Sequence, residues 1–205
     1  MSSKVKKKIL KLKESSTLVI NEKSKELILK GKKVYQFGFG QSPFPVPEKI
    51  VEALKKNAHR KEYLPIQGLT ELRENISKYL FKRTGNDYPK ENILITPGSK
   101  EAMLLIHIAF NGEILIPAPG WVSYEPQAEI GSNNVHWLET SRSNNWFPTG
   151  KELEKKIISI GKNKNLIFIL NSPNNPSGTV CKNLEELARV AKKYKIMILS
   201  DEIYT

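Results

Sequence analysis

A chain of 205 residues with 39% hydrophobic content and a formal charge of +12 is long enough for one packed domain with a small appendage, and reads as a soluble globular protein. Of its 33 Lys+Arg only five are arginines (Arg60, Arg73, Arg83, Arg142, Arg189), and the lysines spread over predicted helix faces without interleaved aromatics, so the charge reads as solvated surface rather than a nucleic-acid or membrane footprint. No apolar run approaches the roughly 20 residues that span a bilayer, no apolar core follows the basic start, and the single Cys181 excludes an intrachain disulfide, which together read as a cytoplasmic protein.

The chain opens on a lysine-rich arm. Leu27-Ile28-Leu29 and Val34-Tyr35-Gln36-Phe37 flank Gly31 and read as a strand pair or an extended segment. Gly38-Phe39-Gly40-Gln41-Ser42-Pro43-Phe44-Pro45-Val46-Pro47 follows as a stiff connector, and Pro47 suits the first turn of a helix running to about Ala58. After the shaped loop Tyr63-Leu64-Pro65-Ile66-Gln67-Gly68, Leu69, Leu72, Ile76, Tyr79 and Leu80 recur at helical spacing up to Gly85.

From Asn92 onward short apolar runs alternate with amphipathic segments. Ile93–Ile95, Ile114–Ile116, Val135–Leu138, Leu166–Leu170 and Ile196–Leu199 read as strands; Lys100–Phe110, Trp121–Ile130, Thr149–Ile160 and Asn183–Tyr194 read as helices. Runs apolar on both faces between such helices predict an α/β fold, a mainly parallel sheet covered by helices on both faces.

Polar clusters follow several of these strands. Pro97-Gly98-Ser99-Lys100 opens a helix; its amides and the Ser99 hydroxyl suit an anion at the positive helix end, or else Ser99 is an ordinary N-cap. Trp121 either plugs the core or offers an aromatic face. Asn171-Ser172-Pro173-Asn174-Asn175-Pro176-Ser177-Gly178 is made of ordinary turn residues, yet it lies where open α/β sheets bind ligands, outside the carboxyl end of a strand. Asp201 ends an apolar strand and needs a partner, because an unpaired buried carboxylate is costly. His59, His107 and His136 lack metal-ligand spacing and read as packed or surface histidines.

The ordered set, from Gly38 to Tyr204, resembles the pyridoxal-phosphate (PLP) aminotransferases of class I/II, fold type I, the aspartate aminotransferase superfamily. Tyr63-x-Pro65-x-x-Gly68-x-x-x-Leu72-Arg73, Trp121-Val122-Ser123-Tyr124, Asn175-Pro176-x-Gly178 and Asp201-x-x-Tyr204 carry the likeness. It implies that Gly98, Ser99 and Lys100 bind the phosphate of pyridoxal 5′-phosphate and that Trp121 lies against its ring. Asp201 would pair with the ring nitrogen, Asn175 and Tyr204 would donate to the phenolic oxygen, Tyr63 would serve the neighbouring subunit of a homodimer, and backbone near Gly40 would touch substrate.

The same resemblance makes residues 1–47 an N-terminal arm and small-domain segment and 48–205 a partial PLP-binding large domain. It puts the Schiff-base lysine a few tens of residues beyond the Asp-x-x-Tyr, past Thr205, so no catalytic residue falls in this chain. Lys100, at the phosphate end, is no substitute. The implied reaction is amino-group transfer from an α-amino acid to a 2-oxo acid, with this chain an N-terminal half, inactive alone, that leaves a bare sheet edge and exposed apolar surface. A PLP-dependent lyase or synthase and a non-catalytic binding remnant are the alternatives.

Overall fold

The structure is a computed structural model that describes residues 4–5, 7–10, 12, 16–36, 40 and 42–204. In chain order its elements are α1 (Lys7–Leu10), α2 (Ser16–Leu29), α3 (Glu48–Asn57), α4 (Thr70–Thr84), a 3-10 turn (Lys90–Asn92), α5 (Ser99–Ala109), β1 (Glu113–Ala118), α6 (Tyr124–Gly131), β2 (Asn134–Glu139), a second 3-10 turn (Arg142–Asn144), α7 (Gly150–Ile160), β3 (Leu166–Asn171), α8 (Leu184–Tyr194) and β4 (Met197–Asp201). They fall into two compact units, one of residues 1–15 with 98–205 and one of residues 16–97.

In the first unit all strand pairings are parallel and the strand order is β2-β1-β3-β4. Side chains alternate across a strand, so each apolar run feeds two layers. Ile114, Ile116, Ile167 and Ile169 pack with Met103 of α5 and with Tyr124 and Ala128 of α6. Leu115, Leu138, Leu166, Phe168 and Leu170 pack with Leu153 and Ile157 of α7 and with Leu187 and Ala191 of α8. Every residue of β3 is buried, which is why that strand reads as an unbroken apolar run. At about 1.5–3 kcal/mol for each fully buried large aliphatic or aromatic side chain, these two layers hold the unit together.

The strand order puts β2 on one side of β1 and β3 on the other. A parallel sheet opens a crevice beyond the carboxyl ends of its strands where the winding reverses, here between β1 and β3. The predicted α/β class with a parallel sheet covered on both faces is what forms.

The second unit contains α2, α3, α4 and the turn Lys90–Asn92. Pro47 precedes α3 as its N-cap, and Gly85 ends α4 at φ 73°, a left-handed position that glycine takes without strain. Arg73 is the buried centre of a hydrogen-bond cluster, donating to the carbonyls of Gly68 (3.2 Å) and Lys90 (2.9 Å) and to Gln67 Oε1 (3.1 Å).

Two sequence expectations are corrected here. Leu27-Ile28-Leu29 closes helix α2, and Lys32–Gln36 makes no strand; three consecutive apolar residues fit one turn of helix as well as a strand. Phe37, with Gly38, Phe39 and Gln41 of the connector, lies outside the described residues. Ile93-Leu94-Ile95 is not a strand either: the Ile95 amide donates to the Gln67 carbonyl at 3.0 Å, within its own unit, and joins no ladder. The helix opening at Ser99 therefore follows an irregular segment.

Candidate active site cleft

A cleft open to solvent is lined by Ser99, Met103, Trp121, Tyr124, Asn171, Asn175, Asp201, Ile203 and Tyr204. Its walls come from the start of α5, the segment after β1, the loop after β3 and the end of β4, around the crevice that the strand order creates.

The α5 wall begins at Gly98, the N-cap, whose φ of 95° permits an abrupt turn into the helix. As a glycine, Gly98 brings no side chain to cap the first turn, and the leading N–H groups of a helix have no intrahelical acceptor. A helix start of this kind favours negative charge, and Ser99 places it at the cleft lining. Lys100 lies beside it, with Nζ 5.5 Å from the Trp121 ring centroid, in cation–π range.

After β1, Trp121 meets Tyr124 edge to face, with ring centroids 5.4 Å apart and planes at 81°. Tyr124, the first residue of α6, is 1% exposed, and its hydroxyl donates to Asp201 Oδ2 at 2.6 Å. Burial first, then the bond to Asp201 and its charge, push the Tyr124 phenol far above its ordinary value, so it remains protonated. Asp201 ends β4; its Oδ1 accepts from the Ile203 amide at 3.3 Å.

The loop after β3 is built by its own asparagines. Asn171 Oδ1 accepts from the Asn175 amide (2.7 Å), while Asn171 Nδ2 donates to the Asp201 carbonyl (3.0 Å), tying the loop to β4. Buried Asn174 accepts from both the amide and the hydroxyl of Ser177. Asn175 Nδ2 is thereby aimed at the Tyr204 hydroxyl, 3.0 Å away.

Ser99, Trp121, Asn175, Asp201 and Tyr204 thus meet in one cleft, with Gly98 and Lys100 flanking Ser99. Tyr63 and Gly40 belong to the second unit, where both are exposed. Tyr124 and Asn171 receive no role in the sequence reading, although both stand in segments it marks: Tyr124 closes the Trp121-to-Tyr124 motif, and Asn171 heads the loop after β3. Among the described residues no cluster of three His, Cys, Asp or Glu side chains is arranged for a metal ion, and no helix is long and apolar enough to cross a membrane.

Residues 32–205 match the family described as aminotransferase class I and II. The chain belongs to that family. It is 35% identical to an aspartate aminotransferase of Thermotoga maritima over 98% of its own length and 54% of the relative's. It is 32% identical to an asparagine–oxo-acid transaminase of Streptococcus mutans over 98% of this chain and 52% of the relative. Among solved structures it superposes on the aspartate aminotransferase of Thermus thermophilus with maleate at a TM-score of 0.89, with 28% identity, covering 98% of this chain and 54% of that one. An alanine aminotransferase from Pyrococcus furiosus gives a TM-score of 0.88 at 28% identity, covering 98% and 52%. The family member described here spans about half the length of the curated relatives it matches.

Proposed function

We propose that this chain is the cofactor-holding part of an enzyme that transfers an amino group from an α-amino acid to a 2-oxo acid, with pyridoxal 5′-phosphate in the cleft. The observation that carries the reading is the convergence of unlike groups around one space: a helix start opened by glycine, an aromatic ring, a carboxyl group and an amide–phenol pair. A phosphorylated, flat heteroaromatic ring with a phenolic oxygen calls for groups of each of these kinds, which is what supports the reading.

In this reading the Ser99 hydroxyl and the first amides of α5 receive the phosphate, with Gly98 providing the turn and Lys100 adding positive charge. Trp121 packs against the ring face. Asp201 holds a proton at the ring nitrogen, and Asn175 and Tyr204 donate to the phenolic oxygen. When bound, the cofactor supplies an electron-accepting ring that stabilises negative charge at the substrate Cα. The remaining roles rest on the family resemblance: Tyr63 would serve the neighbouring subunit of a homodimer, backbone near Gly40 would meet substrate, and residues 1–47 and 48–205 would be the arm with small-domain segment and part of the large domain. The protein would work in the cytoplasm, and the Schiff-base lysine would lie outside these 205 residues.

Titrating the chain with pyridoxal 5′-phosphate while following tryptophan fluorescence tests the reading. Saturable quenching is expected, weakened about tenfold or more in Asp201→Ala, the scale of a lost hydrogen bond to a charged group. Absent saturation, or equal binding by the variant, would overturn it. Mixed with an amino acid and a 2-oxo acid, the chain alone is expected to leave both unconverted, and turnover would refute the assignment of the lysine elsewhere.

A further inference from the structure

The geometry points to Tyr124 as a positioning residue that acts through Asp201, fixing where the carboxyl group faces in the cleft and coupling it to the aromatic wall at Trp121. This inference rests on the cofactor reading above and adds to it a residue with no direct part in holding the ring.

Three links make the case. The Tyr124 hydroxyl donates to Asp201 Oδ2 at 2.6 Å, a length in the range of strong O–H···O bonds to carboxylates. Its ring meets the Trp121 ring in a T-shaped contact, with centroids 5.4 Å apart. Its amide donates to the Trp121 carbonyl at 3.1 Å. A buried ring with two torsions, pinned at three places, offers the carboxyl group a donor that does not wander.

Asp201 needs such a donor. It is the last residue of β4, which pairs with β3 alone among the described residues, so the ladder holds its backbone from one side only. Its Oδ1 has the 3.3 Å bond from Ile203, a residue beyond the strand and itself exposed. The Tyr124 bond is the shorter of the two and comes from the packed face of the sheet, where Tyr124 joins Ile114, Ile116, Ile167 and Ile169. Burial also keeps the phenol protonated across the working pH range, so the hydroxyl stays a donor.

The chemistry separates positioning from packing. A residue that orients Asp201 affects only ligands with a ring nitrogen for Asp201 to meet; a residue that merely fills space affects all ligands of that shape. The probes are pyridoxal 5′-phosphate and its 1-deaza analogue, with CH in place of the ring nitrogen, titrated into the 205-residue chain and its Tyr124→Phe variant. The unaltered chain is expected to prefer the natural compound. Tyr124→Phe is expected to shrink that preference about tenfold while leaving affinity for the analogue within about twofold, in keeping with loss of a hydrogen bond to a charged group. In an Asp201→Asn background the same change should leave the preference unmoved. Equal weakening of both ligands by Tyr124→Phe overturns the inference and leaves the cofactor reading standing. No preference in the unaltered chain overturns that reading and the inference with it. If Tyr124→Phe fails to fold, 3-fluorotyrosine at position 124 keeps the shape while strengthening the donor, and an unchanged preference then refutes the inference.

Discussion

His107 shows what a single side chain can cost a fold. It is fully buried on α5, and neither ring nitrogen has a hydrogen-bond partner among the described residues. Burial alone pushes its pKa below the ordinary imidazole value of 6.5. The folded state therefore binds this proton less readily than the unfolded chain does, and unfolding takes up a proton at mildly acidic pH. Stability is full above about 6.5 and falls as pH drops through that value toward the lower folded pKa, by about 1.4 kcal/mol for each unit between the two. Denaturant unfolding at pH 7.5 and 5.5 should show the loss, and His107→Leu should remove it over that window. Glu113 acts lower on the scale. Burial opposes its ionisation, but bonds and charge from Lys164 and His136 more than offset that and hold its carboxyl below the usual value, so its contribution is lost only as pH falls below about 4.5. A chain whose stability is flat between pH 7.5 and 5.5 would contradict the buried-imidazole account. Neither behaviour was legible in the sequence, where His107 and His136 read alike. By contrast Ser99, Trp121, Asn175, Asp201 and Tyr204 could be drawn together from their places after strands and at a helix start, because such places are fixed by topology. Tyr124 stands in a motif that the sequence marks, but its bond to Asp201, 77 residues away, is not written there.

At the scale of elements, the sequence was informative wherever a run was apolar enough to need cover on both faces. β1 and β3, the central strands, and the helices between them form close to where periodicity put them. The misreadings were short triplets: Leu27–Leu29 joined the end of α2, and Ile93–Ile95 found a single carbonyl instead of a ladder. A strand is defined by its neighbour, and three residues name none. β4 marks the opposite case. It was legible as a strand, yet it pairs on one side only among the described residues, and Met197 and Ile198 stay 56% and 39% exposed. An apolar edge of this kind is a template for pairing with another chain. Light scattering is expected to show association that grows with concentration, and Ile198→Lys, placing a charge on the edge, is expected to reduce it. A size independent of concentration in the unaltered chain would rule this out.

Across the whole molecule the two units differ in what sustains them. Residues 98–204 contain every buried apolar side chain among the described residues, arranged in two layers against the sheet. Among the described residues of 16–97 the one buried side chain is Arg73, held by carbonyls and an amide rather than by apolar packing. Helices without a buried apolar face have little beyond propensity and local hydrogen bonds, and isolated helices of 10 to 15 residues are marginal in water. Opening should therefore be local and cheap in residues 16–97 and should need loss of the sheet elsewhere. Lysines are abundant in both units, so trypsin reports on order rather than on sequence. Brief digestion is expected to cut first between residues 16 and 97 and to leave a resistant fragment beginning near Gly98, identified by mass spectrometry. Hydrogen exchange should run the same way, with β1 and β3 amides slowest and those of α2, α3 and α4 at least a hundredfold faster. Early cleavage within residues 98–204, or uniform protection across the chain, would show that the second unit has support beyond its own packing.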